Sequence, residues 1–167
     1  KIEYIHPLHN IVLLSYEPDL IADTPVREVK FNTDAMNEGQ ETWLIGLKSD
    51  HQLYSQKSLI SSIDPLMLPP SLSFQDNNIE VINLVNAPDD IYGVLTDENG
   101  LVTAMWTSFT YRSRGESYQI NRGIGSELIE SIVNGFKERS ILYSLELELN
   151  YMPLFAARKL GLSDTWI

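Results

Sequence analysis

The chain has 167 residues, of which 43% are apolar and 21% are charged, and its formal net charge is −11. This composition is that of a globular protein with a sizeable core and excludes a disordered chain. The acidic balance disfavours nucleic acids and anionic membranes as partners, because both require a basic face. The absence of cysteine excludes disulfides, thiol catalysis and cysteine-ligated zinc, and no apolar run approaches the ~18 residues of a membrane span.

The first two thirds of the chain predict short β-strands without intervening helices. Each run is rich in Val, Ile, Leu and aromatic residues and is bounded by Pro, Gly, Asn or Asp, at 10–18, 27–31, 41–47, 55–63, 78–85, 92–96 and 101–109. The segments "NEGQ" and "ENG" predict turns in which Gly39 and Gly100 adopt positive φ. We therefore expect residues 8–110 to form a six-stranded antiparallel barrel.

The pattern changes after Tyr111. Residues 112–123 are polar and are interpreted as a loop, and residues 125–138 then place apolar side chains at helical spacing. We expect an amphipathic helix, with Ser126 as its N-cap, packed on the barrel through Leu128, Ile132 and Phe136.

The last part of the chain predicts a strand followed by a helix. Residues 141–150 alternate between polar and apolar, and the helix predicted over residues 152–162 has Pro153 near its first turn and Gly161 at its C-cap. We place a domain boundary near residues 139–141. Because the chain begins at Lys1 and ends on "DTWI" within a pattern, we expect it to be a fragment, so missing targeting signals mean little.

Histidine, a candidate for catalysis and metal binding, is scarce, with three residues in the chain. His6 and His9 are three residues apart in "HPLH", but Pro7 prevents a shared helical face, and His51 is isolated. No carboxylate stands at a spacing that completes a metal site. We expect neither a metal nor a cofactor.

Charged residues elsewhere are interpreted as solvated surface or turn residues. Arg112 and Arg114 stand beside Glu116 in the predicted loop, where solvation is the better interpretation. The pairs Asp89–Asp90 and Asp97–Glu98 stand at turns, where acidic residues usually serve the backbone geometry.

A second interpretation concerns the glycines of "INRGIGSELIESIV". Gly123 and Gly125 before a helix could present backbone N–H groups to a pyrophosphate, and the segment resembles the acetyl-CoA loop of GNAT acetyltransferases. The Arg or Gln of that loop is Ile120 here, and the many strands upstream do not suit the GNAT fold. We keep an acyl-CoA-dependent acetyltransferase as the alternative function.

Three segments together resemble a known family. They are the hairpin "GVLTDENGLVTAMWTSF", the helix opening "RGIGSELIESIV" and "LELELNYMPLFAARKLGLSDTWI". They are similar to the large, internally duplicated HtrA/Deg-type serine proteases of fungi and plants, in which a degenerate protease-like unit follows an active one. The resemblance implies a mainly β fold: a trypsin-like C-terminal barrel at 1–120, a loop and packing helix at 121–139, and the beginning of a PDZ domain at 140–167.

The resemblance also implies that the catalytic residues are lost. Against the motif G-N-S-G-G-A-L of active HtrA proteases, Ile91 stands at the serine and Tyr92 at the first glycine after it, while Gly93 keeps the second. Asn10, in "NIVLL", stands at the aspartate, and Asp89–Asp90 stand where the backbone would shape the oxyanion hole. Isoleucine offers no nucleophile, and carboxylates would repel an oxyanion.

We therefore expect a pseudoprotease region with a structural, regulatory or peptide-binding role. The implied partners are the N-terminal barrel and PDZ domains of a parent protease and peptide or protein substrates, and the question of homo-oligomers stays open. The resemblance implies a nuclear location, with the cytoplasm as the alternative. A third interpretation is that the fragment completes an active site elsewhere in the parent protein.

Overall fold

A computed structural model describes residues 1–68, 79–88, 90–143, 147, 152–163 and 165. Within this part of the chain, eight strands and two α-helices are formed, together with a short 3-10 helix at Pro18–Ile21. The strands are β1 (Ile2–Ile5), β2 (Val12–Leu14), β3 (Glu41–Lys48), β4 (Leu53–Pro65), β5 (Glu80–Leu84), β6 (Ile91–Thr96), β7 (Val102–Ser113) and β8 (Glu116–Gly125). The helices are α1 (Ser126–Glu138) and α2 (Leu154–Lys159).

Six of these strands close into an antiparallel barrel in the order β3-β4-β5-β8-β7-β6. Closure occurs where β6 returns to β3, in a register that pairs Gly46 with Gly93. The barrel pairs strands that are distant in sequence, such as β5 with β8, so each strand edge within it is hydrogen-bonded. The predicted fold class, a mainly β chain with a six-stranded antiparallel barrel, is confirmed.

Two clusters of buried apolar side chains fill the barrel and its helix-covered side. The inner cluster includes Leu44, Ile60, Ile91, Leu95 and Trp106. The second cluster includes Val81, Phe109 and Ile124, and the α1 side chains Leu128 and Ile129 pack against it.

The barrel lies further along the chain than expected. Residues 112–123, which we interpreted as a loop, are instead the end of β7 and most of β8. The turn between them has positive φ at both Arg114 and Gly115, as in a two-residue type I′ hairpin. The interpretation failed because most of this hairpin is exposed, which removes the apolar alternation that marks a half-buried strand.

The segments before residue 41 do not contribute barrel strands. β1 and β2 form a separate two-stranded sheet, and the run at 27–31 contributes only an isolated parallel bridge between Phe31 and Val102. The predicted span of 8–110 for the barrel is therefore wrong, and Glu41–Gly125 replaces it. The turns at Gly39 and Gly100 are confirmed, because both glycines have a φ of +78°.

The helix predicted over residues 125–138 is confirmed as α1, but two details differ. Ser126 is not the N-cap; Gly125 occupies that position, and the buried Ser126 hydroxyl donates instead to the backbone oxygen of Asn32 at 2.5 Å. Ile132 is buried, whereas Phe136 is 39% exposed and contacts Tyr4.

The C-terminal segment is described only in part. Most of the strand predicted over residues 141–150 lies outside the described residues, and the described residues 141–143 and 147 are not in a strand. The predicted second helix is present as the shorter α2, with Pro153 as its N-cap. Its C-cap is Leu160 rather than the predicted Gly161, which follows at positive φ. The domain boundaries stay predictions.

Candidate functional site

Ile91, which stands at the predicted nucleophile position, is the first residue of β6. Its side chain is fully buried in the inner cluster, beside Leu44 and Trp106. A hydrocarbon side chain has neither a proton to give to a base nor a lone pair with which to attack a carbonyl. The position therefore serves the barrel core.

The residues that flank Ile91 face solvent. Asp90 is exposed, and Asp89 lies outside the described residues, so the expected oxyanion-hole position is only half described. Tyr92 is 49% exposed, and its hydroxyl accepts a hydrogen bond from the Gln119 side-chain amide at 2.9 Å. This contact joins β6 to the exposed end of β8.

Gly93 is the residue of the motif for which the structure gives a physical reason, namely the close packing of two strands. A Cβ atom at this position would lie 2.1 Å from the backbone oxygen of Ile45 and 2.5 Å from the Cα of Gly46. A Cβ atom on Gly46 would likewise lie 2.3 Å from the backbone oxygen of Tyr92. Since β3 and β6 approach this closely, both positions require glycine for strand packing, independently of any catalysis.

Asn10, at the predicted aspartate position, lies in a different environment from Ile91. Its side chain is exposed and lines a cavity of about 200 Å³ together with Ile11, Phe109 and Ile124. An amide there carries no charge with which to stabilise an imidazolium. Ile91, in contrast, is buried in the barrel core.

The two N-terminal histidines form a stacked pair. The rings of His6 and His9 have centroids 5.0 Å apart and planes 6° from parallel. The His6 Nδ1 accepts hydrogen bonds from the backbone N–H groups of Leu8 at 3.3 Å and His9 at 3.1 Å. Burial, and secondarily the neighbouring His9, lower the pKa of His6 from the ordinary value of 6.5.

The third histidine is separate from this pair. His51 is exposed in the turn between β3 and β4, with a φ of +63°. Among the described residues, no group of three or more His, Asp or Glu side chains is placed to hold a metal ion.

Arg112, Arg114 and Asp97 lie in or beside hairpin turns. Arg112 and Arg114 are exposed at the β7–β8 turn. The Asp97 carboxylate accepts hydrogen bonds from the backbone N–H groups of Asn99 at 2.8 Å and Leu101 at 2.9 Å, and from the Asn32 side chain at 3.1 Å. Burial raises the pKa of Asp97, but these hydrogen bonds together lower it below its ordinary value.

The phosphate-loop interpretation of Gly123 and Gly125 is wrong. Gly123 lies inside β8, opposite Trp106 on one side and Ile82 on the other. A Cβ atom there would lie 3.1 Å from the Ile82 Cβ and 3.3 Å from the Leu95 Cδ1, so the position faces the packed core. The loop that would bind a pyrophosphate is a strand instead.

A group of polar residues on β4, β5 and β8 was not predicted from the sequence. A cavity of about 620 Å³ is lined by Asp64, Asn83, Trp106, Asn121 and Arg122, among others. The Trp106 indole N–H is buried without a hydrogen-bond acceptor among the described residues. The available signal was Asn83 within the otherwise apolar segment "VINLV", and the polar pair Asn121 and Arg122 that follows Ile120 in "INRGI".

Comparison with known proteins gives a consistent result over the whole chain. Protease Do-like 7 of Arabidopsis thaliana is 29% identical over 195 residues, which cover 100% of this chain and 18% of that protein. The pro-apoptotic serine protease NMA111 of Phaeosphaeria nodorum is 29% identical over 178 residues, which cover 100% of this chain and 17% of that protein. The chain thus spans less than a fifth of the length of these relatives. No family model matches it.

Solved structures support the fold. The MamO protease domain of Magnetospirillum magneticum is 16% identical with a TM-score of 0.52, covering 79% of this chain and 66% of that one. The HtrA-type protease AlgW with a decapeptide is 18% identical with a TM-score of 0.50, covering 81% of this chain and 42% of that one. At these identities the likeness establishes the trypsin-like barrel alone. In the described part of the chain, no helix is long and apolar enough to cross a membrane.

Proposed function

Because its homologues over the whole chain are HtrA/Deg-type proteases, we propose that this chain is a catalytically inactive, protease-like region of such a protein. Its role is structural or regulatory within the parent protein, and the remaining domains of that protein are its partners. The burial of Ile91 carries the proposal. A hydrocarbon side chain at the nucleophile position, with no exposed surface, supports a site that has become part of the core.

Two further features support the loss of catalysis. Asn10, at the aspartate position, offers an uncharged amide in place of a carboxylate. Gly93, the motif residue that is kept, is accounted for by its close approach to β3. The retained Gly93 is therefore one that the barrel needs, whereas Ile91 and Asn10 stand where the reaction would need a hydroxyl and a carboxylate.

The experiment is a labelling and hydrolysis assay. We expect no fluorophosphonate labelling and no casein hydrolysis by the wild-type chain, while an active HtrA-type protease treated in parallel is labelled. Ile91→Ser also stays unlabelled, because a serine alone lacks the histidine–aspartate pair that would activate its hydroxyl. Ile91→Val, which keeps the core apolar, is the matched control.

Labelling of the wild type or of folded Ile91→Ser would contradict the proposal. A melting curve establishes whether Ile91→Ser is folded; if it is not, the wild-type assay decides alone. Hydrolysis that appears only when the preceding part of a parent protein is added would favour the interpretation that the chain completes a site located elsewhere.

We propose in addition that residues 140–167 begin a PDZ domain. A PDZ domain binds a peptide by adding a strand to a sheet edge beside a helix, and the resemblance implies that the later strands and this helix lie beyond Ile167. The 167-residue chain should therefore bind C-terminal peptides no better than millimolar. A version extended by about 80 residues, which is roughly what a small domain needs to close its core, should bind more tightly. Tight binding by the shorter form in a fluorescent peptide titration would overturn this part of the proposal.

A further inference from the structure

The connection between β1 and β2 is built around one imidazole. The His6 backbone N–H donates to the Ile11 backbone oxygen at 2.9 Å, and the Ile11 N–H donates to the His9 oxygen at 2.7 Å. Inside this turn, the His6 Nδ1 accepts the N–H groups of Leu8 and His9. Four hydrogen bonds thus close residues 6–11 into one compact turn, which we call the histidine turn.

The two accepted hydrogen bonds determine which nitrogen of His6 carries the proton. An atom that accepts N–H donors must present a lone pair, so Nδ1 is unprotonated and the proton of the neutral ring is on Nε2. A second proton can therefore be added only at Nδ1. Protonation there removes both hydrogen bonds and places an N–H donor opposite two others.

The surroundings of His6 also oppose a positive charge. The residue is 5% exposed, its ring stacks on that of His9, and the Tyr4 ring meets it edge-on at 6.0 Å. Lys137, Glu138 and Arg139, near the end of α1, line the same groove of about 940 Å³. These three side chains carry one negative and two positive charges.

The acidic residue of the β1–β2 hairpin does not pair with His6 but is engaged elsewhere. Glu3 of β1 accepts a hydrogen bond from Ser15 at 2.7 Å and forms an ion pair with Lys1 at 3.0 Å.

The histidine turn connects the N-terminal sheet to the rest of the molecule. On one side, Tyr4 contacts Phe136 of α1, with ring centroids 5.6 Å apart. On the other side, Ile11 is 8% exposed and lines a cavity with Phe109 and Ile124 of the barrel. Opening the turn would release both contacts, while the closed barrel keeps its own hydrogen-bonded ladder.

We propose that the histidine turn is a pH-sensitive latch, which holds the β1–β2 sheet against α1 and the barrel while His6 is neutral and releases it when Nδ1 is protonated. The proposal is independent of the proposed function.

The pH dependence follows from the difference in proton binding between the two states. In the closed state His6 binds a proton more weakly than in the open state, so the open state carries the additional proton. The latch is closed above about pH 6.5, the ordinary histidine value, and weakens as the pH falls below it. Between the lowered pKa of His6 in the closed state and about pH 6.5, the opening constant rises by about tenfold for each pH unit of acidification, as expected for the uptake of one proton.

The test is an NMR titration of the whole chain between pH 8 and pH 5. We expect the His6 nitrogen shifts to report the Nε2–H tautomer at pH 8, and the pKa of His6 to lie below the ordinary histidine value of about 6.5. The Leu8 and His9 amides should lose protection against hydrogen exchange in the same pH range, after correction for the intrinsic pH dependence of exchange.

Two variants separate the latch from general acid sensitivity. His6→Asn keeps an acceptor, since the asparagine Oδ1 takes the place of Nδ1, but it does not bind a proton near neutral pH. The protection of the Leu8 and His9 amides in this variant should not change with pH. His51→Asn, at an exposed turn with positive φ that asparagine tolerates, should titrate like the wild type.

The proposal is overturned if the pKa of His6 is 6.5 or higher, if Nδ1 carries the proton at pH 8, or if acid leaves the two amides protected. Acid-induced opening of His6→Asn equal to that of the wild type also overturns it. If His6→Asn does not fold, the wild-type titration decides by itself.

Discussion

Gly46 and Gly93 face each other across β3 and β6, and the two strands lie so close that neither residue has room for a methyl group. This contact closes the barrel. It lies two residues from Ile91, within the hairpin that would carry a nucleophile in an active protease. Gly93 is therefore required by strand packing, and Ile91 stands at the position where the family resemblance implies a nucleophile.

Gly93→Ala tests this contact. The added carbon would collide with backbone atoms of Ile45 and Gly46 rather than with a movable side chain, so the free energy of unfolding should fall by about 3 kcal/mol or more. Gly135→Ala in α1 is the matched control, because a Cβ there meets nothing within 4 Å. The control should gain about 0.5–1 kcal/mol from its helix propensity. Urea unfolding measures both, and equal stability of the two variants would show that the strands can separate at no cost.

Ile91 should behave as a core residue when it is shortened. Ile91→Val removes one carbon and should lower the free energy of unfolding by about 0.5–1.5 kcal/mol. Ile91→Ser also buries an additional hydroxyl and should cost about 3–5 kcal/mol. Chemical denaturation would show the gradient, and a serine variant as stable as the wild type would mean that the position is not packed.

Ile132 should anchor α1, because its side chain is buried. Ile132 is 6% exposed, so Ile132→Asp removes a packed side chain and buries a charge, and it should lower the melting temperature by several degrees. Ser131→Asp introduces the same carboxylate at the neighbouring exposed position and should change the melting temperature little. Similar melting curves for the two variants would contradict the packing of α1 on the barrel.

Two buried threonines should respond oppositely to the same substitution. The Thr42 hydroxyl donates to the Thr96 backbone oxygen at 3.0 Å, so Thr42→Val should cost about 0.5–1.5 kcal/mol and leave an acceptor without its donor. The Thr103 hydroxyl, on a residue that is 4% exposed, has no partner in the described part of the chain. Thr103→Val removes this unsatisfied group and should leave the stability unchanged or raise it. Calorimetry of both variants decides the order, and a larger loss for Thr103→Val would show that its hydroxyl has an unrecognised partner.

The sequence by itself determined the features that depend on neighbours along the chain. The spacing of Leu128, Ile129 and Ile132 predicted α1 to within one residue, because helical periodicity is local. Gly100 marked its turn because few other residues adopt positive φ without strain. The family resemblance, carried by the hairpin and helix motifs, also came from the sequence, and the relatives over the whole chain support it.

Only the tertiary structure decided which strands close the barrel and what Ile91 does there. β8 was missed because its exposed end lacks apolar alternation, and it is ordered by its long ladder with β7 and its short one with β5. The run at 27–31 has strand composition but finds only a single bridge, to Val102. Strand pairing joins residues far apart in sequence, so burial and register depend on which partner a strand reaches. The family resemblance placed Ile91 at a degenerate nucleophile position, and only the closure of β6 onto β3 shows that its side chain is buried in the core.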